Sequence, residues 1–150
     1  MIAVIQRVAE ASCTIDNQIH SRIDKGLLVL LGITHQDTEE DIDWLTKKIA
    51  NLRIFNDKSG KMNLSLAEIE GEILLISQFT LYASTAKGNR PSFTEAARPE
   101  VAIPLYEKMI LTLQKQTEKS VQTGKFGADM KINLLNDGPV TIIIDSKNKI

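Results

Sequence analysis

The sequence predicts one α+β domain with mostly antiparallel or mixed β-sheets and two main helices. Residues 1–150 are enough to bury a single core but too few to favour two domains. Apolar residues recur at helical spacing in only two segments. The other apolar segments are short and mostly follow one another along the chain. Such an order favours neighbouring strands over alternating β and α units.

The first predicted elements are strands. Ile2–Val8 and Ser12–Ile15 have strand composition, and Asp16-Asn17 is a turn that leads into Gln18–Ile23. The run Leu27–Leu31 is continuously apolar, which indicates a strand covered on both faces. We therefore expect a hairpin followed by a central strand.

The first helix is predicted over Asp41–Arg53, where apolar residues recur at helical spacing. Asp37 and Glu40 before it resemble a capping box. Five acidic residues and no basic one lie between Asp37 and Asp43, near the positive end of the helix dipole. Because the net charge of the whole chain is −1, the remainder of the chain is positive.

The middle of the chain contains a turn, a strand, a loop and a helix. The turn is predicted at Asn56–Gly60 and a second buried strand at Glu72–Phe79. Residues 83–99 form a polar loop with three basic residues and one acidic residue. The second helix is predicted over residues 99–117, with a late start or a bend at Pro104.

The last predicted elements are again strands. One lies near Val121 and another spans Met130–Leu135. Asn136–Pro139 is predicted to be a turn, because its residue types are those of tight turns. Val140–Asp145 is the final strand.

Composition excludes several classes of protein. The 18 Lys and Arg residues nearly balance 19 Asp and Glu residues, which argues against a general nucleic-acid binder. The lone Cys13 can form no disulfide within the chain, and the longest apolar stretch, Gly26–Ile33, is too short to cross a bilayer. No export signal is visible. We expect a cytoplasmic protein without a membrane partner.

Familiar catalytic and metal-binding motifs are absent from the sequence. It contains no HExxH, CxxC, GxSxG or GxGxxG, and Gly60-Lys61 lacks the other residues of a phosphate-binding loop. His20 and His35 are the only histidines, and they are poor candidates for a shared metal or an acid–base relay. We expect no metal and no cofactor.

Two segments attract attention for their chemistry. Ser77–Tyr82 ends an apolar strand with hydroxyls and an amide, which is typical either of a ligand site or of a strand that leaves the core. A nucleophile at Ser77 or Thr80 would need a base, and no histidine is placed in sequence to supply one. Asn136–Thr141 is either an ordinary turn or, if Gly138-Pro139 is cis, a set of fixed carbonyls that can bind an ammonium group.

Together, eight segments in order resemble the D-aminoacyl-tRNA deacylase family. They are Gln6–Val8, Gly26–Gly32, Leu52–Phe55, Gly60–Asn63, Ser77–Tyr82, Lys87–Phe93, Thr123–Met130 and Asn136–Thr141. The fifth and the last are the most specific, and the resemblance covers essentially the whole chain.

The resemblance implies a barrel-like D-aminoacyl-tRNA deacylase fold and a cytoplasmic homodimer with active sites at the interface. It implies a proofreading hydrolase that binds the 3′ end of aminoacyl-tRNA and cleaves the ester of a D-amino acid, with no DNA partner. Glycyl-tRNA mischarged on the tRNA for alanine is a further implied substrate. The terminal ribose 2′-hydroxyl is implied to assist the activation of water.

The resemblance also implies the residues of the site. Those expected to line the catalytic pocket are Ser77, Gln78, Phe79 and Thr80. Those expected to seat the terminal adenosine are Phe126, Gly127, Ala128 and Met130. Gly138 and Pro139, as a cis peptide, are expected to enter the opposite subunit's pocket and exclude L side chains, with Arg7 holding their carbonyls. We interpret Thr80 as a positioning residue first and a nucleophile second.

Two alternatives remain open at this point. The first is a hydrolase of small activated esters or amides that uses Ser77 or Thr80 directly and needs no tRNA. The second is a non-catalytic RNA-binding module, which would retain charged tRNA without cleaving it. The aromatic content of 5% leaves few residues for stacking on bases, which disfavours the second alternative.

Overall fold

A computed structural model describes residues 1–149 as a mixed sheet with two helices and a small separate hairpin. The strands are β1 (Ile2–Ile15), β2 (Gln18–Ile23), β3 (Gly26–Gly32), β4 (Phe55–Asn56), β5 (Met62–Leu64), β6 (Glu72–Ser77), β7 (Gln122–Thr123) and β8 (Lys131–Asp145). The helices are α1 (Glu39–Ala50) and α2 (Pro99–Thr117), and a 3₁₀ turn spans Phe79–Tyr82. The predicted α+β class with two main helices is confirmed.

Strand β1 organises the sheet. One of its edges pairs with β8 from Ile2 to Thr14, and the other pairs first with β3 and then with β2. Strand β3 pairs antiparallel with β1 and parallel with β6, and β6 pairs parallel with β7. The mixed sheet curves into a nearly closed, barrel-like form.

The predicted gap between the strands Ile2–Val8 and Ser12–Ile15 is wrong, because β1 runs through it. Ala9 and Glu10 are exposed, which breaks the apolar pattern, but Glu10 still pairs with Leu135 of β8. Backbone pairing therefore continues where the side chains give no strand signal.

Strand β3 has the central position that its apolar sequence predicts. Six of its seven residues are buried, and their side chains alternate between two clusters. Leu27 and Val29 join the cluster that includes both helices, whereas Leu28 joins a second cluster with Val8 and Cys13. The strand is thus covered on both faces.

The structure places the capping box of α1 one residue later than the sequence predicts. The cap is Thr38, whose N–H donates to the Asp41 carboxylate at 2.8 Å. Asp37 instead accepts a hydrogen bond from the Thr34 N–H at 2.8 Å and contacts the N-terminal ammonium of Met1 at 2.6 Å. Its carboxylate therefore ties the start of β1 to the loop before α1.

The bounds of α1 differ from the prediction, whereas those of α2 agree with it. Helix α1 spans Glu39–Ala50 rather than Asp41–Arg53. Helix α2 spans Pro99–Thr117, which is the predicted range, and Pro99 lies in its first turn. Pro104 lies inside the helix, so of the two alternatives at this residue the late start is wrong. No helix of residues 1–149 is long and apolar enough to cross a lipid bilayer.

The segment after β6 turns away from the sheet earlier than predicted. The strand predicted over Glu72–Phe79 ends at Ser77, and the 3₁₀ turn follows. The predicted polar loop over residues 83–99 is irregular as far as residue 98, and an isolated bridge joins Ser84 to Ser92 within it. Pro99 already belongs to α2.

Strand β8 is continuous, where the sequence predicts two strands separated by a turn. The predicted turn at Asn136–Pro139 is therefore wrong. The β1 residues Gln6 and Val8 remain paired with β8, and residues 137–140 bulge out between these pairings, opposite Arg7. Turn-forming residues thus produce a bulge within a strand rather than its end.

A buried polar network joins the start of α1 to the end of β8. Asp41 accepts hydrogen bonds from Ser146 Oγ at 2.7 Å and from Lys147 Nζ at 2.8 Å. Burial raises the pKa of Asp41, but the hydrogen bonds from Lys147, Ser146 and the Thr38 N–H outweigh it and hold the pKa well below its usual range. The ionised carboxylate therefore contributes stability above about pH 4, and this contribution is lost as the pH falls.

We predict that Asp41→Asn lowers the free energy of unfolding at neutral pH by roughly 1–3 kcal/mol, because it removes a charged hydrogen-bond acceptor. The variant should lose less stability than the wild type between about pH 5 and pH 2, since it lacks a carboxylate whose pKa folding lowers. Denaturant unfolding followed by circular dichroism measures both effects. Asp43→Asn is the matched control, because Asp43 lies exposed on the same helix. An acid profile of Asp41→Asn equal to that of the wild type would contradict the prediction.

Candidate active site

A cavity of about 330 Å³ opens where β3 and β6 end side by side. These strands are parallel, so their carboxyl ends lie together and the segments that follow them meet. The start of α2 and the segment that leads into β8 complete the wall. The lining residues are Leu31, Ile33, Ile76, Ser77, Gln78, Phe79, Ala97, Ala102, Phe126, Gly127, Ala128, Asp129, Met130 and Ile132.

The segment after β6 lies close against the end of β3. The Gln78 N–H donates to the Leu31 carbonyl at 2.8 Å. A Cβ on Gly32 would lie 3.0 Å from the Leu81 Cβ and 3.3 Å from the Gln78 carbonyl oxygen. A glycine at position 32 therefore allows the 3₁₀ turn to pack directly on the strand.

The side chains of Gln78 and Thr80 are joined by a hydrogen bond. Gln78 Nε2 donates to Thr80 Oγ1 at 2.6 Å. Ser77, Gln78 and Phe79 line the cavity, whereas Thr80 is exposed and lies just beyond its wall. Of the four residues expected in the catalytic pocket, three line it, and the fourth orients the amide of one of them.

Phe79 is held at the cavity by the loop of residues 83–99. Its ring packs edge-on against that of Phe93, with 5.1 Å between the centroids. The loop is fixed in turn where the Ala97 N–H donates to the Ile33 carbonyl at 2.8 Å. Phe79 remains 56% exposed, so part of its ring faces the solvent or a ligand.

The opposite wall is the segment expected to seat an adenosine. The Phe126 ring packs against Tyr106 of α2, whose hydroxyl donates to the Leu75 carbonyl at 2.8 Å. Gly127 has a φ of +78°, which favours glycine, and the Ala128 N–H closes this turn. The structure thus brings all four residues expected on this wall to the same cavity.

Among the lining residues that the structure describes, one has a titratable side chain, Asp129. Its carboxylate is largely exposed and pairs with Lys131 at 2.7 Å. His20 and His35 are both exposed and line no part of the cavity. Residues 1–149 contain no cluster of three His, Cys, Asp or Glu side chains that could hold a metal ion.

Arg7 lies beneath the bulge of β8, and it is only 6% exposed. Its Nε donates to the Asp137 carbonyl at 2.8 Å and its Nη1 to the Ile54 carbonyl at 2.7 Å. The resemblance implies that Arg7 holds the carbonyls of Gly138 and Pro139. In the structure, the carbonyl of β8 that accepts from Arg7 belongs to Asp137, the residue before Gly138.

The bulge places Gly138 where a side chain would be both strained and crowded. The Gly138-Pro139 peptide bond is cis, and Gly138 has a φ of +135°. A Cβ there would lie 2.9 Å from Arg7 Nη2 and 2.7 Å from Val140 Cγ2. The Asn136 side chain closes the base of the bulge by accepting a hydrogen bond from the Val140 N–H at 3.0 Å.

Neither the bulge nor Arg7 lines the cavity of the same chain. Among residues 1–149, β8 pairs with β1 alone, so its outer edge is unpaired. Exposed apolar side chains flank the bulge on this strand, and they include Leu135 and Ile143. The structure therefore joins two of the three expected groups of site residues and leaves the third on a free, partly apolar edge.

Sequence reasoning missed several residues of the cavity wall. Ala97 and Ala102 lie on either side of the start of α2, and small apolar residues carry no chemical signature. Leu31 was predicted only as part of a buried strand. Asp129 lies inside the segment Thr123–Met130 that resembles the family, and its carboxylate next to two expected site residues was the available signal.

Comparisons with known proteins identify relatives over the full chain. A family model described as D-Tyr-tRNA(Tyr) deacylase matches residues 4–145. A D-aminoacyl-tRNA deacylase of Cytophaga hutchinsonii is 64% identical over 149 residues, and one of Flavobacterium psychrophilum is 61% identical over 149 residues. Each of these matches covers 99% of this chain and 99% of the relative.

Solved structures share the fold. A c-Myc DNA unwinding element binding protein is 42% identical, with a TM-score of 0.90 over 97% of this chain and 98% of that one. A probable eukaryotic D-amino acid tRNA deacylase is 17% identical, with a TM-score of 0.82 over 95% and 97% of the two chains. Since the family model and the bacterial relatives span nearly all of its length, the chain belongs to the D-Tyr-tRNA(Tyr) deacylase family of enzymes.

Proposed function

We propose that the chain hydrolyses the ester between a D-amino acid and the terminal adenosine of tRNA, and so releases both. The observation that carries this proposal is the cavity in which Ser77, Gln78 and Phe79 face the segment 126–130. The first group offers a hydroxyl and an amide to an ester, and the second offers an apolar wall and an aromatic ring to a base. A cavity of about 330 Å³ takes the 3′ end of a tRNA and not its body.

Water is activated here without a base from the protein. Asp129, the one titratable group on the described wall, is exposed and paired with Lys131. We therefore assign the activation of water to the ribose 2′-hydroxyl, which is adjacent to an ester on the 3′ oxygen. An aminoacyl ester is already reactive, so a positioned water and donors for the developing oxyanion are sufficient.

The donors for the oxyanion are the backbone N–H groups of Phe79 and Thr80. These residues begin the 3₁₀ turn, and the first N–H groups of such a turn have no partner within it. The Gln78 N–H is committed to the Leu31 carbonyl and does not take part.

A second subunit reads the chirality of the substrate. Gly138-Pro139 lies outside the cavity of its own chain, on the unpaired edge of β8 and near exposed apolar side chains. In a homodimer formed along these edges, each bulge enters the partner's cavity, where its carbonyls bind the substrate ammonium and leave no room for an L side chain. Exclusion of this kind requires no pocket that attracts D side chains, so glycyl-tRNA mischarged on the tRNA for alanine is accepted as well.

Local positive charge compensates for the neutrality of the chain as a whole. Arg98 and Lys125 are exposed and adjoin segments that line the cavity. They attract the phosphates near the 3′ end, and the affinity that results is modest and sensitive to salt.

The buried, unpaired Cys13 is compatible with a reducing compartment, and we assign the reaction to the cytoplasm.

The direct test compares matched D-aminoacyl-, L-aminoacyl- and glycyl-tRNA as substrates of the purified protein. We expect loss of the D and glycyl esters and survival of the L ester. A D-aminoacyl-tRNA that ends in 2′-deoxyadenosine should react more slowly by about 100-fold or more, because the group that activates water is missing. Equal cleavage of a free D-aminoacyl ester would indicate a hydrolase of small esters, and binding without cleavage would indicate an RNA-binding module. Either outcome contradicts the proposal.

We predict that Thr80→Ala reduces kcat by about tenfold without abolishing activity, because the Gln78 amide loses the acceptor that orients it. Thr80→Ser restores the hydroxyl and should recover most of the loss. Single-turnover hydrolysis of D-aminoacyl-tRNA measures both variants. Complete inactivity of a folded Thr80→Ala would identify Thr80 as the nucleophile and contradict its role in positioning.

We predict that Gly138→Ala increases cleavage of L-aminoacyl-tRNA relative to the D ester by about tenfold or more, because a Cβ displaces the bulge that excludes L side chains. The matched control is Gly60→Ala. Gly60 has a φ of +80° but no atom within 4 Å of an added Cβ, so this variant also places an alanine at a positive φ but displaces no neighbour. Rejection of the L ester that is unchanged in Gly138→Ala would overturn the assignment.

Mixed dimers decide which subunit supplies the bulge. One subunit carries Gly138→Ala, the other carries Ala128→Trp to fill its cavity, and two affinity tags isolate the heterodimer. If the bulge acts on the partner's cavity, the open cavity faces an intact bulge and the heterodimer rejects the L ester. Cleavage of the L ester by the heterodimer would show that the bulge acts within its own chain.

A further inference from the structure

Gly124 lies directly against Met130, a residue of the cavity wall. A Cβ on Gly124 would overlap the Met130 sulfur. It would also lie 3.1 Å from Ile76 Cδ1 and 3.5 Å from Cys13 Sγ. The Met130 thioether therefore packs directly against the backbone of Gly124, where there is no side chain.

A glycine is required at position 124 because a side chain has no space there, and not because the backbone adopts a conformation that favours glycine. Gly124 does not have the positive φ that marks Gly127 in the same segment, so an alanine is compatible with its backbone. Ile76 and Cys13 are both fully or almost fully buried in the second core cluster, which leaves them little freedom to move aside. Met130 is the flexible neighbour.

We infer that Gly124 is a positioning residue that holds Met130 against the core and thereby sets the width of the adenosine side of the cavity. This inference rests on the proposed function for the identity of the ligand, whereas the packing itself does not. Met130 has filled core on one side and the open cavity on the other. A methyl group at position 124 therefore moves the Met130 side chain into the cavity.

The kinetic test is Gly124→Ala with D-aminoacyl-tRNA as the substrate. We expect KM to rise by about tenfold, with a smaller change in kcat, because the seat of the adenosine is narrowed while the ester-binding segment is untouched. The matched control is Gly71→Ala. Its Cβ would lie 2.6 Å from Leu66 Cδ1 and 2.7 Å from Ile69 Cδ1, so it also crowds side chains, but these side chains do not line the cavity. An unchanged KM in Gly124→Ala, or an equal rise in Gly71→Ala, would overturn the inference.

Shortening Met130 provides a rescue that a general loss of stability would not show. Met130→Ala alone weakens the seat, but it also removes the atoms that an alanine at position 124 displaces. Gly124→Ala combined with Met130→Ala should therefore have nearly the KM of Met130→Ala alone. Additive effects of the two substitutions would show that Gly124 does not act through Met130.

A measurement that needs no activity separates this inference from the proposed function. The chain has four methionines, so ¹³C-methyl labelling gives a spectrum in which Met130 can be assigned by substitution. Gly124→Ala should shift the Met130 methyl signal, and Gly71→Ala should leave it in place. If the wild-type protein cleaves no D-aminoacyl-tRNA, the proposed function fails while this shift still decides the packing. A Met130 signal unchanged in Gly124→Ala would refute the inference even if the enzyme is active.

Discussion

The pairing of β1 on both edges is the constraint on which the rest of the structure depends. A buried strand must satisfy its backbone groups on each side, and β1 does so with β8 on one edge and with β3 and β2 on the other. Strand β3 pairs with β6 and so positions the segment after β6 at the cavity, whereas β8 contains the bulge. At Arg7 the ladder with β8 is interrupted, and the buried guanidinium is satisfied by the carbonyls of Asp137 and Ile54 instead. The bulge thus supplies a hydrogen-bond acceptor to a buried side chain of β1, and it is not an independent loop.

The cavity depends on close contacts between backbone and side chains. Gly32 lets the 3₁₀ turn approach β3, and Gly124 lets Met130 lie against the core. At both positions an added Cβ would meet its neighbours at less than normal contact distance. The space for a ligand therefore depends on glycines, which carry no functional group. Residues that carry functional groups, such as Gln78, are positioned by the close packing that these glycines allow.

Local sequence patterns predicted the elements well where the signal and the final environment agree. The apolar run of β3 and the Asp16-Asn17 turn are examples, because burial and turn chemistry act there without competition. Asn136–Pro139 was misjudged because pairing of its flanking residues with β1 overrides the local preference for a turn. The cap of α1 was misplaced because Asp37 is used by a distant group, the ammonium of Met1. Which segments meet at the cavity came from the family resemblance, since contacts such as Phe79 with Phe93 leave no periodic pattern in the sequence.

The acidic start of α1 has a different meaning once its contacts are known. Asp37 is paired with the N-terminal ammonium, Asp41 with Lys147 and, at the surface, Glu39 with Lys108. Three of its five acidic residues are therefore compensated where they lie. Counting charges along the sequence therefore overstates the uncompensated negative charge at this end of the molecule. A protein that binds only the end of a tRNA neutralises few phosphates and needs no strongly basic surface. A near-neutral chain and a nucleic-acid substrate are compatible for this reason, provided that selectivity comes from the shape of the cavity and from the backbone that closes it.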